Sequence, residues 1–337
     1  MSKIKIGVLG PSEIANRRFI PGLLAGGRFV FAGVAYASPE EWGGVHSWDD
    51  PVITGEKKKA QAMAERFGGK VYDGFGSLLD DESIEAVYVP LPPGLHARWA
   101  REALQRGKHA LLEKPFTTRL CDTEELIRTA DEKGLALHED FAFLFHRQIT
   151  TIDDLIAAGE IGEVRLIRAA FGFPYRGKND FRYHKSMGGG ALLDCGGYPL
   201  SLANHLLGGT ARVTSSQLCF ARGHDVDVFG SAMLVGENGV PAQISFGMDN
   251  AYKCDVEIWG SAGYISTGRV YSPPADLVTD ICVKTAEERH IQVEPDDQFQ
   301  HSAEHFADCI ENVDVRKANY QKILAQSRLF DAIANGK

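Results

Sequence analysis

Residues 3–10, Lys3-Ile4-Lys5-Ile6-Gly7-Val8-Leu9-Gly10, alternate between polar and apolar and then run apolar, the pattern of a strand that becomes buried on both faces. Apolar runs at 29–34, 84–89 and 109–112 predict further strands, and helical periodicity at 58–67 and 97–106 predicts helices between them. A strand at 135–143 and helices at 124–133 and 152–158 are expected as the chain leaves this region. Strand and helix alternating in this way specify a parallel sheet with helices on both faces. After Gly162 the pattern changes to extended stretches at 163–173, 212–220, 226–235, 242–248 and 255–258, with Gly236-Glu237-Asn238-Gly239 as a hairpin connection. That series predicts a large, open, mainly antiparallel sheet with helices on one face. On the expectation that a broad apolar sheet surface does not stay exposed, its uncovered face is a natural subunit interface for a homodimer or homotetramer.

Composition narrows the picture. A chain of 337 residues with 44% hydrophobic content can bury two ordinary cores, so two domains are expected, 1–122 and 123–337. A formal net charge of -9 argues against nucleic acid as a partner, which requires clustered positive charge. Lys57-Lys58-Lys59 reads as the solvated face of a helix. The six cysteines show neither two-residue spacing nor paired histidines, so no metal site is expected. The sequence carries no membrane-length apolar run and no signal peptide, and the reading is a reduced, cytoplasmic protein without a membrane partner.

Three segments carry candidate chemistry. The first strand is followed by Gly10-Pro11-Ser12-Glu13-Ile14-Ala15, in which Gly10, Ser12 and Ala15 fit a degenerate dinucleotide fingerprint. That pattern needs a tight turn, a close backbone approach to pyrophosphate and a small residue where helix meets strand; Ser12 stands where the middle glycine would be. The strand 109–112 ends in Glu113-Lys114-Pro115-Phe116, and in a parallel sheet such a strand end faces a ligand cleft. Met187-Gly188-Gly189-Gly190 leads to Asp194 and Tyr198-Pro199.

These three segments in this order resemble the Gfo/Idh/MocA oxidoreductases, the glucose–fructose oxidoreductase and inositol dehydrogenase superfamily, and the similarity extends to residues 257–263 and 305–310. The resemblance implies an N-terminal Rossmann NAD(P)-binding domain and a C-terminal α/β domain for substrate binding and oligomerisation. It also implies that Leu91 and Pro92 form the nicotinamide-contacting loop, that His96 is the helix-start histidine, that Glu113 approaches the nicotinamide ribose, and that the Lys114–Pro115 bond is cis. Pro93 departs from the family by standing where a polar residue is usual.

Reducing a ketone by hydride transfer builds charge on oxygen, which calls for a proton donor and a positive group. Tyr198 can supply the proton, Lys114 the positive field, and Asp194 can orient either of them. Pro199 requires that the helix carrying Tyr198 begin near Gly197. A carboxylate after the second strand would mark an NAD site and an arginine an NADP site, but Ala35-Tyr36-Ala37-Ser38 offers neither, so Tyr36 and Ser38 belong to a site for NAD or NADP in which NADP is tolerated. Residues 39–55 either close over the adenine or form a surface or interface loop.

Residues 179–183 are expected to overhang the substrate through Arg182 and Tyr183, where Arg182 either holds a phosphate or sugar oxygen or forms an ion pair. The stretch 139–144, including Phe141, together with 146–148 and Tyr198-Pro199, is most similar to nucleotide-sugar 3-ketoreductases. The leading reading is therefore an NAD(P)-dependent oxidoreductase acting on a secondary alcohol or ketone of a sugar, such as a nucleotide-activated keto-deoxysugar. The alternatives are a polyol or dihydrodiol dehydrogenase of the same family and a non-catalytic dinucleotide-binding regulator.

Overall fold

The computed structural model describes residues 3–43, 46–177, 179–221 and 223–336. The chain folds into two compact units, each drawn from separated stretches of sequence. The first comprises Met1–Thr117, Cys121–Asp140 and Phe299–Ile323, and the second Thr118–Leu120, Phe141–Gln298 and Leu324–Lys337.

In the first unit, β1 (Ile4–Leu9), β2 (Phe29–Tyr36), β3 (Lys70–Asp73), β4 (Ala86–Val89), β5 (His109–Leu112) and β6 (Leu137–Glu139) form a parallel sheet in the order β3-β2-β1-β4-β5-β6. Ile6, Val8 and Leu9 are fully buried, as are Val87, Tyr88 and Val89, because helices cover both faces. These helices are α1 (Ile20–Gly26), α2 (Pro39–Trp42), α3 (Pro51–Phe67), α4 (Phe75–Leu79), α5 (Pro93–Gln105) and α6 (Leu120–Lys133). The strand order reverses between β1 and β4, which opens a crevice at their carboxyl ends, the usual place for a ligand in such a sheet.

The expected strand at 135–143 is shorter than its pattern. After β6 the Asp140 N–H makes a last bond to Leu112 O at 2.9 Å, and Ala142–Phe145 turn into a 3-10 helix. Within the 39–55 segment, Ser38 caps α2 and Asp50 caps α3; Gly44 and Val45 lie outside the described residues. The two strand-end polar residues of Lys70-Val71-Tyr72-Asp73 conceal β3 from a hydrophobic pattern.

Helix α9 (Gln298–Glu311), which follows α7 (Arg147–Ala157) and α8 (Gly197–Leu206) in the chain, and the start of α10 (Val313–Ala334) return to the first unit. Phe306 stacks on Phe29 at 6.0 Å, Arg28 pairs with Asp308 and Glu311, and Asn319 Nδ2 donates to Leu137 O at 2.7 Å.

The second unit is built on eight strands: β7 (Val164–Gly172), β8 (Arg212–Phe220), β9 (Asp227–Val235), β10 (Pro241–Gly247), β11 (Lys253–Gly260), β12 (Tyr264–Gly268), β13 (Thr279–Lys284) and β14 (Glu288–Val293). Their order is β14-β13-β12-β11-β7-β10-β9-β8, antiparallel except where β7 meets β10. The connection Gly236–Gly239 closes the β9–β10 hairpin, with Gly236 N–H on Val240 O at 3.0 Å.

Inward residues such as Ile167, Ala169, Ile244, Val256 and Ile258 form the core with Leu200, Leu202 and Ala203 of α8. The uncovered face differs from the broad apolar surface expected. Alternation puts Arg168, Ser231, Gln243, Ser245, Asp255, Glu257 and Ser266 there, around a depression of about 910 Å³, and the exposed aromatics Phe229 and Trp259 stand apart on β9 and β11. Among the described residues no helix is long and apolar enough to cross a membrane.

Gly190 has φ +126°, and a Cβ on it would lie 2.4 Å from Asp227 Oδ1. Gly55, by contrast, lies inside α3 with nothing within 4 Å of a Cβ. Gly190→Ala is expected to cost about 3 kcal/mol, whereas Gly55→Ala should add about 0.5–1 kcal/mol. Urea midpoints at constant slope should move in opposite directions.

Candidate active site

In the first unit the loops after β1, β4 and β5 carry the candidate residues. Gly10 has φ +105°, and a Cβ there would come within 2.9 Å of Leu91 Cδ2, so the β1 and β4 loops meet across the crevice only because this position lacks a side chain. Ser12 N–H bonds Gly10 O at 2.9 Å and Ser12 Oγ accepts the Ala15 N–H at 3.2 Å, so the serine closes the turn and satisfies a donor at the head of the π-helical turn Ala15–Phe19 that precedes α1. Pro11 and Ala15 are buried, Ser12 and Ile14 half-buried, and Glu13 exposed. This corner, with its Cβ-free approach and the helix start behind it, fits a dinucleotide pyrophosphate.

At the end of β2, Tyr36 is fully buried and donates its hydroxyl to Asp73 Oδ1 at 2.6 Å; burial first, then Asp73, pushes the phenol well above its ordinary pKa. Ser38 Oγ accepts the Glu41 N–H at 3.3 Å and donates to Glu40 at 2.9 Å. Glu41 in turn accepts the N–H groups of Ser38, Phe75 and Gly76, joining the starts of α2 and α4. Lys57 Nζ lies 5.7 Å from the Tyr36 ring centroid and 3.7 Å from Asp73. Trp48 meets Tyr36 edge-on at 6.2 Å.

Pro92 caps α5 and Pro93 occupies its first turn, a position where the missing N–H costs nothing. His96 is fully buried, with Nε2 2.7 Å from Leu91 O and Nδ1 2.9 Å from Pro115 O, so one ring links the β4 and β5 loops. Burial holds it below its ordinary pKa despite both carbonyls. Tyr88 donates its hydroxyl to Glu113 Oε1 at 2.6 Å, and the Lys114–Pro115 bond is cis, in keeping with the resemblance. Beyond it the Phe116 N–H donates to Glu139 Oε1 at 2.7 Å. Burial pushes the Glu139 carboxyl up to about 8, against the opposing pull of the Phe116 N–H and the Lys114 charge. Burial and the Glu113 charge push Asp140 well above the carboxylate range, and Ser302 donates to its Oδ1 at 2.6 Å.

The second unit carries the remaining candidates. A π-helical turn, Leu192–Gly196, leads into α8, so Tyr198 and Pro199 fall in the first turn of the α-helix. The Asp227 carboxylate accepts the Leu192 N–H at 2.6 Å at the head of this turn. The half-buried Tyr198 ring packs among Phe141 at 5.8 Å, Phe143 at 5.8 Å, Phe171 at 4.9 Å and Tyr271 at 5.7 Å. Asp194 is buried and takes the Arg182 Nε–H at 2.7 Å, while Asp180 holds the same guanidinium at 3.1 Å. Burial disfavours the Arg182 charge, but Asp194 and Asp180 outweigh it and hold the guanidinium above its ordinary pKa. Of the two readings of Arg182, the structure displays the ion pair, in a mostly buried setting. Tyr183 is buried and donates to Met248 O at 2.6 Å, which makes it a strut beneath the segment 179–189.

Tyr88, Asp227 and the carboxyl of Glu139 were not legible as site-building groups, since each acts on a residue far away in the chain. A hydroxyl or carboxyl at a strand end is the only local signal they offer.

The pattern described as "Oxidoreductase family, NAD-binding Rossmann fold" matches residues 28–141, and the "GFO/IDH/MocA C-terminal domain" matches residues 149–266. A dTDP-3,4-didehydro-2,6-dideoxy-alpha-D-glucose 3-reductase of Actinomadura kijaniata is 37% identical over 334 residues, 99% of this chain and 95% of that protein. One of the same description from Streptomyces violaceoruber is 42% identical over 273 residues, 81% of this chain and 75% of that protein. The crystal structure of KijD10, a 3-ketoreductase from Actinomadura kijaniata in complex with NADP and TDP-benzene, is 36% identical, covers 99% of this chain and 98% of its own, and superposes with a TM-score of 0.89. With a Rossmann unit, an open antiparallel unit and this similarity along its whole length, the chain belongs to the Gfo/Idh/MocA family of NAD(P)-dependent oxidoreductases.

Proposed function

We propose that the protein reduces the C3 ketone of a thymidine-diphosphate-linked keto-deoxysugar, with NADPH as reductant. The observation that carries this reading is similarity to the 3-reductase of Actinomadura kijaniata over 99% of the chain. When bound, the reduced nicotinamide supplies the hydride. Tyr198 gives its phenolic proton to the ketone oxygen as the carbonyl π pair moves onto it, and solvent restores that proton. The Lys114 ammonium is assigned to stabilising the negative charge that develops on oxygen during reduction. The Phe141, Phe143, Phe171 and Tyr271 rings hold the Tyr198 ring in one orientation. Asp194 fixes Arg182, which borders the substrate, and Tyr183 supports that segment from beneath. The Gly10–Ala15 corner, the Leu91-Pro92 loop held by His96, and Glu113 hold the dinucleotide. The free thiols of all six cysteines fit a reducing, cytoplasmic setting.

At the ribose end Lys57 is the cation beside Tyr36; Ser38 is held by Glu40 and Glu41 and Lys57 lies 3.7 Å from Asp73, so a 2′-phosphate would draw Lys57 away from Asp73. Both signs of charge on the uncovered sheet face, Arg168 beside Glu257 and Lys253 beside Asp255, suit a second copy of the chain related by a two-fold axis, with Trp259 as an apolar anchor.

The function is tested by following nicotinamide absorbance with a panel of nucleotide-linked keto-deoxysugars, free keto-sugars and polyols; turnover confined to polyols would point to the dehydrogenase alternative. Tyr198→Phe should lower ketone reduction by roughly two orders of magnitude or more while folding and cofactor affinity stay near wild type. Lys114→Met should raise the barrier by about 3 kcal/mol or more. Early melting with normal turnover per folded molecule in Tyr198→Phe would instead make that residue part of the core.

Fluorescence titration should find no strong preference for NADH over NADPH, and Lys57→Met should weaken NADPH about tenfold, the loss of one charge-assisted contact, with NADH unaffected. A thousandfold preference for NADH would contradict the assignment. Sedimentation should give a dimer or tetramer that Trp259→Arg dissociates; an unchanged oligomer would place the interface elsewhere.

A further inference from the structure

The cysteines are spaced along the chain without a metal motif, but antiparallel register assembles ligands that spacing does not show. In the outermost hairpin of the large sheet, β13 pairs with β14 so that Cys282 lies opposite His290 and Lys284 opposite Glu288. Ile281 and Val283 face the core, which puts Cys282 on the uncovered face with Glu288 and His290. There the thiol, a Glu288 carboxylate oxygen and an imidazole nitrogen of His290 all lie within 4.8 Å of one another. His290 Nε2 is 3.5 Å from Glu288 Oε1, close to the edge of a tetrahedron drawn at ordinary zinc bond lengths. The other ring nitrogen, Nδ1, lies 2.7 Å from Asp280 Oδ2, and the second Asp280 oxygen accepts a hydrogen bond from Gln292 Nε2. A carboxylate that holds one nitrogen of an imidazole fixes its tautomer and aims the other nitrogen, which is how a metal-binding histidine is oriented.

We infer that Cys282, Glu288 and His290 form a site for a borderline-soft divalent cation of the zinc type, with Asp280 as the positioning residue behind His290 and a water completing the tetrahedron. A cross-strand ion pair of His290 with Asp280 accounts for those two groups alone; it gives no reason for a thiol and a second carboxylate to converge on the same ring. The mixed sulfur, nitrogen and oxygen set favours zinc or cobalt over magnesium and calcium, which take oxygen ligands. On binding, the cation takes the thiolate and the neutral imidazole, and the protons they give up pass to solvent. Lys284, whose Nζ lies 3.6 Å from Glu288 Oε2, yields that carboxylate to the metal. The bound cation ties β14, the edge strand, to β13. It belongs to the sheet and takes no part in hydride transfer, so the site stands independently of the proposed reduction.

The test titrates the untagged full-length protein, stripped with chelator, with zinc and separately with cobalt. Zinc should bind at one per chain, cobalt should add a thiolate-to-metal charge-transfer absorption, and excess calcium or magnesium should displace neither. Cys282→Ser should remove the charge-transfer band, and both it and His290→Gln should weaken zinc about tenfold or more, as should Asp280→Asn, which leaves all three ligands in place. Cys121→Ser, which alters an exposed thiol outside the cluster, should bind zinc like the wild type. Melting in the presence of chelator checks that each variant is folded, and zinc should raise the melting temperature of the wild type but not of Cys282→Ser. Absence of saturable zinc binding, or a charge-transfer band that survives Cys282→Ser, would overturn the site. Equal zinc affinity in the wild type and Asp280→Asn would overturn the positioning assignment and leave Asp280 as an ion-pair partner.

Discussion

A parallel sheet stops satisfying backbone groups at the last residue of each strand, and the amides and carbonyls just beyond that point need partners from elsewhere. In the first unit some of those partners are backbone carbonyls of the neighbouring strand, as for the Glu113 and Asp140 N–H groups on Val89 O and Leu112 O, and others are side chains. His96 takes up Leu91 O and Pro115 O, Glu139 receives the Phe116 N–H, and Tyr88 anchors the Glu113 carboxylate. The same residues that complete the hydrogen bonding of the loops therefore hold Glu113, Lys114 and Leu91 in place. At the other end of the crevice Glu41 has the equivalent role, receiving three backbone N–H groups and joining the segment after β2 to the start of α4.

Burying these partners has an electrostatic consequence. Glu139 and Asp140 lie where water does not solvate their charges, and both are pushed toward the neutral form. Burial likewise holds His96 below its ordinary pKa. The Glu113 carboxylate, by contrast, keeps a charge that acts on Asp140. The second unit handles charge differently: Arg182 stays ionised because two aspartates surround it, and Asp194 is consequently engaged with Arg182.

The uncovered sheet face shows how alternation overrides bulk hydrophobicity. Strands β7, β9, β10 and β11 place their apolar residues inward against α8, and the alternate positions carry Arg168, Ser231, Gln243, Ser245 and Glu257. A face of this kind tolerates water and favours a partner through shape and paired charges more than through apolar area.

Period and punctuation along the sequence were enough for the alternating first unit, the extended second unit, the hairpin at Gly236–Gly239, the glycine turn after β1 and the helix start near Gly197, because each is a matter of neighbours within a few residues. The Glu113-Lys114-Pro115 segment stood out as a run of charge at a strand end, whereas Asp194 and Tyr198 were singled out through the family resemblance. Strand β3, the early end of β6, the short helix α2 and the start of α3 at Pro51 were not legible, since they depend on caps and on edge pairing that a hydrophobic pattern does not encode. Which groups meet was settled by packing in three dimensions: the Phe116 N–H with Glu139, 23 residues apart, the Leu192 N–H with Asp227, 35 apart, and the Tyr36 hydroxyl with Asp73, 37 apart. The free energy of such a contact depends on burial and on the groups that the fold brings alongside it, so the ionisation of Glu139 and the engagement of Asp194 with Arg182 are properties of the fold and not of any local stretch of sequence.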